Sequence, residues 1–294
     1  VPDLPDTAAL VLACREAGLD PGDAVLLRRH ATTVYRIPRP GPDQEVIAKV
    51  APRAARARAE RAIHLTRWLR AHDFPCTEPA EISQPIDAGA FVVTFWKHYD
   101  QTQRGLPGAR HLGALLRRLH ALPSPPIDLP AAAPLRHFAD LVTSSNTLPD
   151  DDKTWLVAER HRLLTEYSEL DFPLGTGMLH GDAYPGNTLW DGDTPLLGDW
   201  DEPAFGPREL DLAPTLQGGI RFGRSTTELD AFTTAYGHDP RDWPGLATLT
   251  GLRDLHTLGS FIRHAQHGDT NAVSELDIRI ASLRRRDNSS WRAA

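Results

Sequence analysis

Sulfur and primary-amine side chains are both scarce in this 294-residue chain. It has 2 Cys and 1 Met, and among its 32 cationic side chains Lys stands only at positions 49, 97 and 153. Cys14 and Cys76 are far apart and neither has metal-ligand spacing around it, which excludes a disulfide framework and a zinc site. No apolar run approaches the roughly 20 residues of a membrane span, so no membrane partner is expected. The opening stretch, VPDLPDTAAL, has no basic segment leading into an apolar core. A signal peptide is therefore not expected, and the expected compartment is the cytoplasm. The formal net charge of −7 argues against a nucleic-acid partner. What remains is an ordinary folded chain, 40% hydrophobic and 24% charged, long enough for two lobes with separate cores, as a monomer or a dimer.

The shortage of Lys is informative. The other 29 cations are Arg, and with 25 Pro the pattern matches GC-rich coding. Where any cation serves, this chain uses Arg. A retained Lys is then a hint of Lys chemistry, since a compact ammonium and a planar guanidinium are not interchangeable.

Periodicity along the chain predicts a helix over 7–17 that ends at Gly18, then three short strands, AVLLRRH (24–30), TVYRIP (33–38) and EVIAKV (45–50), with RPGPDQ as the turn between the last two. A long helix is expected over 51–72. AEISQPI and FVVTFWKHY should pair around DAGA as a hairpin. Beyond Tyr99 the texture turns helical: ARHLGALLRRLHAL (109–122) carries Leu112, Leu115, Leu116 and Leu119 at helical spacing. A Pro-rich connection follows, and Asp150–Leu170 reads as a helix with acids at its positive end. From Asp211 onward the pattern is helical. The expected fold class is α+β: a small antiparallel β-sheet lobe over 1–98 and a larger helical lobe over 99–294.

The stretch MLHGDAYPGNTLWDGDTPLLGDWDEP, residues 178–203, gathers Asp182, Asn187 and Asp199 where like charges should repel. Asp182 and Asn187 are spaced as D-x-x-x-x-N, with an Asp downstream, which is the arrangement of a phosphoryl-transfer loop. The residue types suit that chemistry. Mg²⁺ takes hard oxygen ligands, and one carboxylate plus one amide oxygen leave it charge to spend on phosphates. Asp191 and Asp193, in contrast, read as turn residues.

On these residues, LHGDAYPGN and LLGDWDEPAFGPRELDLA, with LGALLRRLHAL upstream, the chain resembles the aminoglycoside phosphotransferase family, whose fold is protein-kinase-like and bilobal. The resemblance implies that Asp182 is the catalytic Asp, that Asn187 and Asp199 bind metal, and that Asp211 holds the catalytic loop from a helix start. It makes His180 a structural support rather than the base.

For the nucleotide, Lys49 in EVIAKV stands like the Lys of a kinase V-A-I-K strand. Glu60 is the single acid among six Arg between Ala51 and His72, and so the expected partner of Lys49; its plain alternative is a surface pair with Arg56. No Gly-rich loop is present. The backbone from His30 to Thr33, or the Thr32 and Thr33 hydroxyls, is expected to cap phosphate oxygens. The adenine-binding hinge should fall within Thr94–His98, including Phe95 and Trp96. The expected cofactors are ATP, with GTP not excluded, and Mg²⁺. The expected acceptor is a hydroxyl of a small molecule. Residues 99–294 carry 19 Lys/Arg against 27 Asp/Glu, and residues 1–98 carry 13 against 12, so a cationic acceptor such as an aminoglycoside or other basic antibiotic is favoured. Metabolite kinases of choline, homoserine or sugar type, and a non-catalytic nucleotide-binding module, are the alternatives.

Overall fold

The computed structural model describes residues 5–29, 32–38 and 45–292. The RPGPDQ turn, His30 and Ala31 lie outside the described residues. The elements run α1 (Pro5–Ala17), β1 (Val25–Arg29), β2 (Thr33–Ile37), β3 (Val46–Pro52), α2 (Arg56–Ala71), β4 (Ile86–Ala88), β5 (Phe91–Lys97) and α3 (Ala109–Ala121). They continue with α4 (Phe138–Thr143), α5 (Asp150–Ser168), β6 (Thr176–Leu179), β7 (Thr188–Asp191), β8 (Thr194–Leu197), β9 (Ala204–Pro207), α6 (Glu209–Arg221), α7 (Thr226–Tyr236), α8 (Leu246–Gln266) and α9 (Thr270–Arg285). The chain forms two compact units. The first is Val1–Pro107, Leu122–Leu129 and Gly186–Pro203; the second is Gly108–Ala121, Pro130–Pro185 and Ala204–Ala294.

The first unit is built on an antiparallel sheet in the order β1-β2-β3-β5-β4. Strand periodicity sorts its side chains: Val46, Ala48 and Val50 of β3 are buried, and the residues between them point to the other face. That buried face forms one core with Leu10, Ala13 and Cys14 of α1 and with Phe95. Each fully buried Leu of this kind stabilises the fold by about 1.5–3 kcal/mol. Burial pushes the Cys14 and Cys76 thiols up to about 12, so both are inert protonated core residues.

The hairpin expected around DAGA is shorter than the sequence implied. Ile86–Ala88 forms the ladder with β5, and an isolated bridge joins Pro79 to Trp96. Pro85 has no N–H to give a ladder, and the Gln84 side chain takes the place of a strand there. Its Oε1 accepts from Phe95 N–H at 2.6 Å, and its Nε2 donates to the Phe95 and Ala80 carbonyls at 2.9 Å each.

The second unit is mainly helical. Leu112, Leu115, Leu116 and Leu119 of α3 are buried as their spacing predicts. A larger core gathers Leu249, Leu252, Leu255, Leu258 and Ile262 of α8 with residues of α4, α5 and α9. The short α4 and the strand β9, which pairs with β6, were not foreseen. α7 starts on a reciprocal cap between Ser225 and Glu228 and stops at Gly237 in the left-handed region. No described helix is long and apolar enough to cross a membrane.

α3 approaches α7 closely at Gly113, where a Cβ would lie 2.3 Å from the Phe232 carbonyl oxygen. Backbone, not a flexible side chain, is in the way. Gly113→Ala should therefore destabilise the protein by about 1–3 kcal/mol, the usual cost of overpacking. Denaturant unfolding monitored by tryptophan fluorescence measures it, and an unchanged midpoint would refute the close contact.

Candidate active site

In the second unit, β6 delivers His180, Gly181 and Asp182 to a sharp loop. Gly181 has φ of +86°, a conformation that disfavours any residue with a Cβ. This explains locally why Gly stands where the kinase loop has Arg. The loop is gripped by Asp211 from the first turn of α6. Its Oδ2 accepts from His180 N–H at 2.7 Å and its Oδ1 from Gly181 N–H at 2.9 Å. His120 Nε2 of α3 lies 3.2 Å from Oδ2, and its other ring nitrogen is 2.9 Å from the Tyr236 hydroxyl. Asp211 is fully buried. Burial alone would raise its pKa, but the hydrogen bond and charge of His120, the charge of His180 and the His180 N–H together hold it below the ordinary carboxylate value. The His180 ring, also fully buried, accepts the Asp182 N–H at Nδ1 over 3.3 Å.

The Asp182 carboxylate is met by a residue that sequence reasoning missed. Arg253 of α8 places Nη2 2.7 Å from Asp182 Oδ1. Arg253 Nη1 is in turn 3.1 Å from His256 Nδ1, one turn further along the helix. Desolvation by the surrounding protein and the Arg253 charge push His256 down to about 4, against the pull of Asp182. Nothing in the sequence marks one Arg of 29, seventy residues downstream, as a neighbour of Asp182.

In the first unit, the β7–β8 hairpin explains how Asn187 and Asp199 come together. Asn187 precedes β7 and Asp199 follows β8, with Thr188 opposite Leu197. The Gly198 N–H donates to the Asn187 carbonyl at 2.8 Å. Asp199 has φ of +62°, a conformation that Asp tolerates better than most residues and that recurs at functional sites. Trp200 anchors the segment: it is 1% exposed, donates Nε1–H to the Leu197 carbonyl at 2.9 Å and packs edge-on against Phe74.

Lys49 reaches this segment from β3. Its Nζ is 2.6 Å from Asp199 Oδ1 and 3.5 Å from Asp201 Oδ1. Burial would lower its pKa; the two carboxylates outweigh burial and the opposing Arg28 charge, and hold the ammonium above its ordinary value. Lys49, Asn187 and Asp199 all line one cleft of about 1660 Å³, whose far wall runs from Trp96 to Arg104. That exceeds the roughly 300–1,000 Å³ of a pocket for a drug-sized ligand.

Three expectations are corrected. Glu60 is given to Arg56 at 3.0 Å, the plain surface pair, and the acids beside Lys49 are Asp199 and Asp201. Phe95 is not at the cleft: opposite Ala48, it faces the core, its N–H donates to Gln84 Oε1, and its carbonyl accepts from Gln84 Nε2 and the Ala80 N–H. Thr33 is buried in the ladder opposite Val50 and lines neither the cleft nor the recess beside it. Thr32, Thr94 and Trp96 do line that small recess with Lys49, and Trp96 also lines the cleft. Thr94 lies opposite Lys49 in the sheet and accepts the Trp96 indole N–H at 2.9 Å.

A model described as the phosphotransferase enzyme family matches residues 28–249. The chain belongs to this family. Among solved structures, this phosphotransferase is similar to an amicoumacin kinase in complex with AMP-PNP, Ca²⁺ and Ami, with a TM-score of 0.74 at 14% identity over 91% of this chain and 90% of that one. It is also similar to a spectinomycin phosphotransferase in complex with ADP and spectinomycin (TM-score 0.65, 19% identity, 94% and 93% covered). An aminoglycoside phosphotransferase of Streptomyces rimosus gives 0.57 at 20% identity, with 85% and 98% covered. No curated protein matches in sequence. The fold is thus the kinase-like bilobal α+β fold, and the protein is a small-molecule kinase that acts on a hydroxyl group.

The phosphotransferase has the donors that a divalent metal needs. Among the described residues no group of three or more His, Cys, Asp or Glu could hold an ion alone. The Asn187 amide and the Asp199 carboxylate, brought together by their hairpin, are two hard oxygen donors, and Mg²⁺ is ordinarily held by one or two carboxylates plus substrate phosphates and water.

Asp211→Asn removes the charge and half the acceptor capacity beneath the loop. Because the folded pKa of Asp211 is depressed, its stabilisation is fully present above the unfolded carboxylate value near about 3.9 and is lost as pH falls through the folded one. The variant should be less stable than the wild type at neutral pH, and the gap should narrow in acid. Unfolding midpoints between pH 7 and pH 3 test this; a constant gap would refute it.

Proposed function

We propose that this phosphotransferase moves the γ-phosphate of ATP, with Mg²⁺, to a hydroxyl of a small amine-bearing molecule of the aminoglycoside or basic-antibiotic kind, in the cytoplasm. The observation that carries the nucleotide half is the single cleft on whose wall Lys49, Asn187 and Asp199 meet. Lys49 is a compact point charge suited to phosphate oxygens. The metal, held by Asn187 and Asp199, supplies charge neutralisation on those oxygens when bound. Asp182 orients the acceptor hydroxyl and takes its proton as the new O–P bond forms, while the departing nucleotide keeps the electrons of the broken P–O bond. Arg253 holds one oxygen of Asp182 and so orients the carboxylate.

Support for an amine-bearing acceptor is electrostatic. Residues 99–294 carry 19 Lys/Arg against 27 Asp/Glu, and a net negative charge concentrates cations and speeds their capture. Aminopropanol and the choline/ethanolamine class, named for two further structures of similar fold, are amine-bearing alcohols as well. A second reading rests on Arg253 and His256, which offer hydrogen-bond donors beside Asp182 and favour an acceptor that carries an anionic group there.

An ADP-release assay across aminoglycosides, amino alcohols, uncharged sugars and hydroxy acids separates the two. The amine-bearing acceptors should give the highest kcat/KM, falling as ionic strength rises through about 0.1 M, where the screening length is about 10 Å. A best substrate that is uncharged, or one indifferent to salt, rejects the steering argument; a hydroxy acid at the top, lost in Arg253→Gln, selects the second reading.

Asp182→Asn should lose roughly 10²–10⁴ in kcat while ATP affinity stays close to that of the wild type. Turnover near the wild-type value would remove Asp182 from the chemistry.

A further inference from the structure

A Lys that must present its charge to phosphates needs an acid to fix it, and in this chain the helix that follows its strand brings none. Beside Lys49 lies a recess of about 20 Å³, walled by Ala55, Ala59 and Ala62, by Arg58, and by Asp201. The three Ala recur at helical spacing, so this is the face that α2 turns toward Lys49. Glu60 is one residue, about 100° of helix rotation, away from Ala59. It is bonded to Arg56, and Arg56 also reaches Asp87 at 2.8 Å. The two carboxylates paired with Lys49 come instead from the segment Asp199-Trp200-Asp201.

These two acids cannot have the same task. A divalent ion bound by Asp199 competes with the ammonium for the same oxygens. Asp201 is then the acid left to hold Lys49. Trp200, buried between them and bonded to the Leu197 carbonyl, fixes the spacing of the pair. Arg58 of α2 meets Glu202 at 2.7 Å, so the helix ties to this segment by its own cation and not through an acid on Lys49.

We infer that Asp201 is the positioning residue of Lys49, in place of any acid on α2. The inference rests on the reading of Lys49 as a phosphate ligand given above.

The test compares wild type, Lys49→Met, Asp201→Asn and the double variant, with Glu60→Gln alongside. Nucleotide-free unfolding is the first measurement. Lys49 and Asp201 are partly exposed and Lys49 keeps Asp199 beside it, so removing Asp201 costs only its own pairwise interaction with Lys49, which vanishes when Lys49 is absent. Asp201→Asn should therefore lower the unfolding midpoint in the wild-type background and have little or no such effect in the Lys49→Met background. Turnover with a Mg²⁺ titration is the second. Asp201→Asn should lose roughly ten- to a hundredfold in kcat through misplacement of the Lys, with an unchanged apparent Mg²⁺ affinity, and Glu60→Gln should match the wild type. An equal stability loss in both backgrounds, a weakened Mg²⁺ affinity in Asp201→Asn, or a kcat loss in Glu60→Gln as large as that in Asp201→Asn would each overturn the inference. Wild-type turnover in Lys49→Met would instead overturn the parent reading of Lys49, whatever the stability cycle gives.

Discussion

The Asp211 carboxylate is the constraint on which the loop of Asp182 depends. A fully buried negative charge is costly unless donors surround it, and here the donors are the main-chain N–H groups of His180 and Gly181 with the His120 ring. The cost of burial is thus turned into the fixation of a loop. Gly181 can take its left-handed turn because it has no Cβ, and the turn points both N–H groups at one carboxylate. The Tyr236 hydroxyl on the far side of His120 extends the chain of polar contacts from α6 through α3 to α7. Asp182 is placed by this assembly, and its side chain then meets Arg253.

The first unit solves a related problem with opposite charges. Lys49 is mostly covered, with a side chain 18% exposed, and keeps its proton because two carboxylates face it. The hairpin β7–β8 and the buried Trp200 deliver those carboxylates. A short tight turn, an inward indole and a left-handed Asp are local devices, all encoded within sixteen residues of chain. They explain why the stretch is rich in Gly, Asp and Trp without appeal to any ligand.

That locality decides what could be read in advance. The loop at Asp182 and the hairpin between Asn187 and Asp199 were legible because each lies within one short run of chain. The strand with Lys49 and the Leu-patterned helix were legible from periodicity. The partner of Lys49 was not: Glu60 lies in the expected helix, but the direction of its side chain depends on how that helix is rotated against the sheet, and three Ala take the inward face. Phe95 failed for a reason of parity. In a strand, neighbours point to opposite faces, so Phe95 cannot share the face of Thr94 and Trp96; which of the two faces meets Lys49 depends on the register with β3. Arg253 was invisible because its meeting with Asp182 is set by helix packing across seventy residues.

The two thiols of this chain are buried and held protonated, and its amines number three, one of which is paired with two acids. Thiol alkylation, a usual conjugation chemistry of protein science, therefore meets no exposed native cysteine. A single cysteine introduced on an exposed turn such as Asp193 would accept a fluorophore or spin label without competition from native thiols, so the molecule is suited to site-specific spectroscopy without removal of its own cysteines.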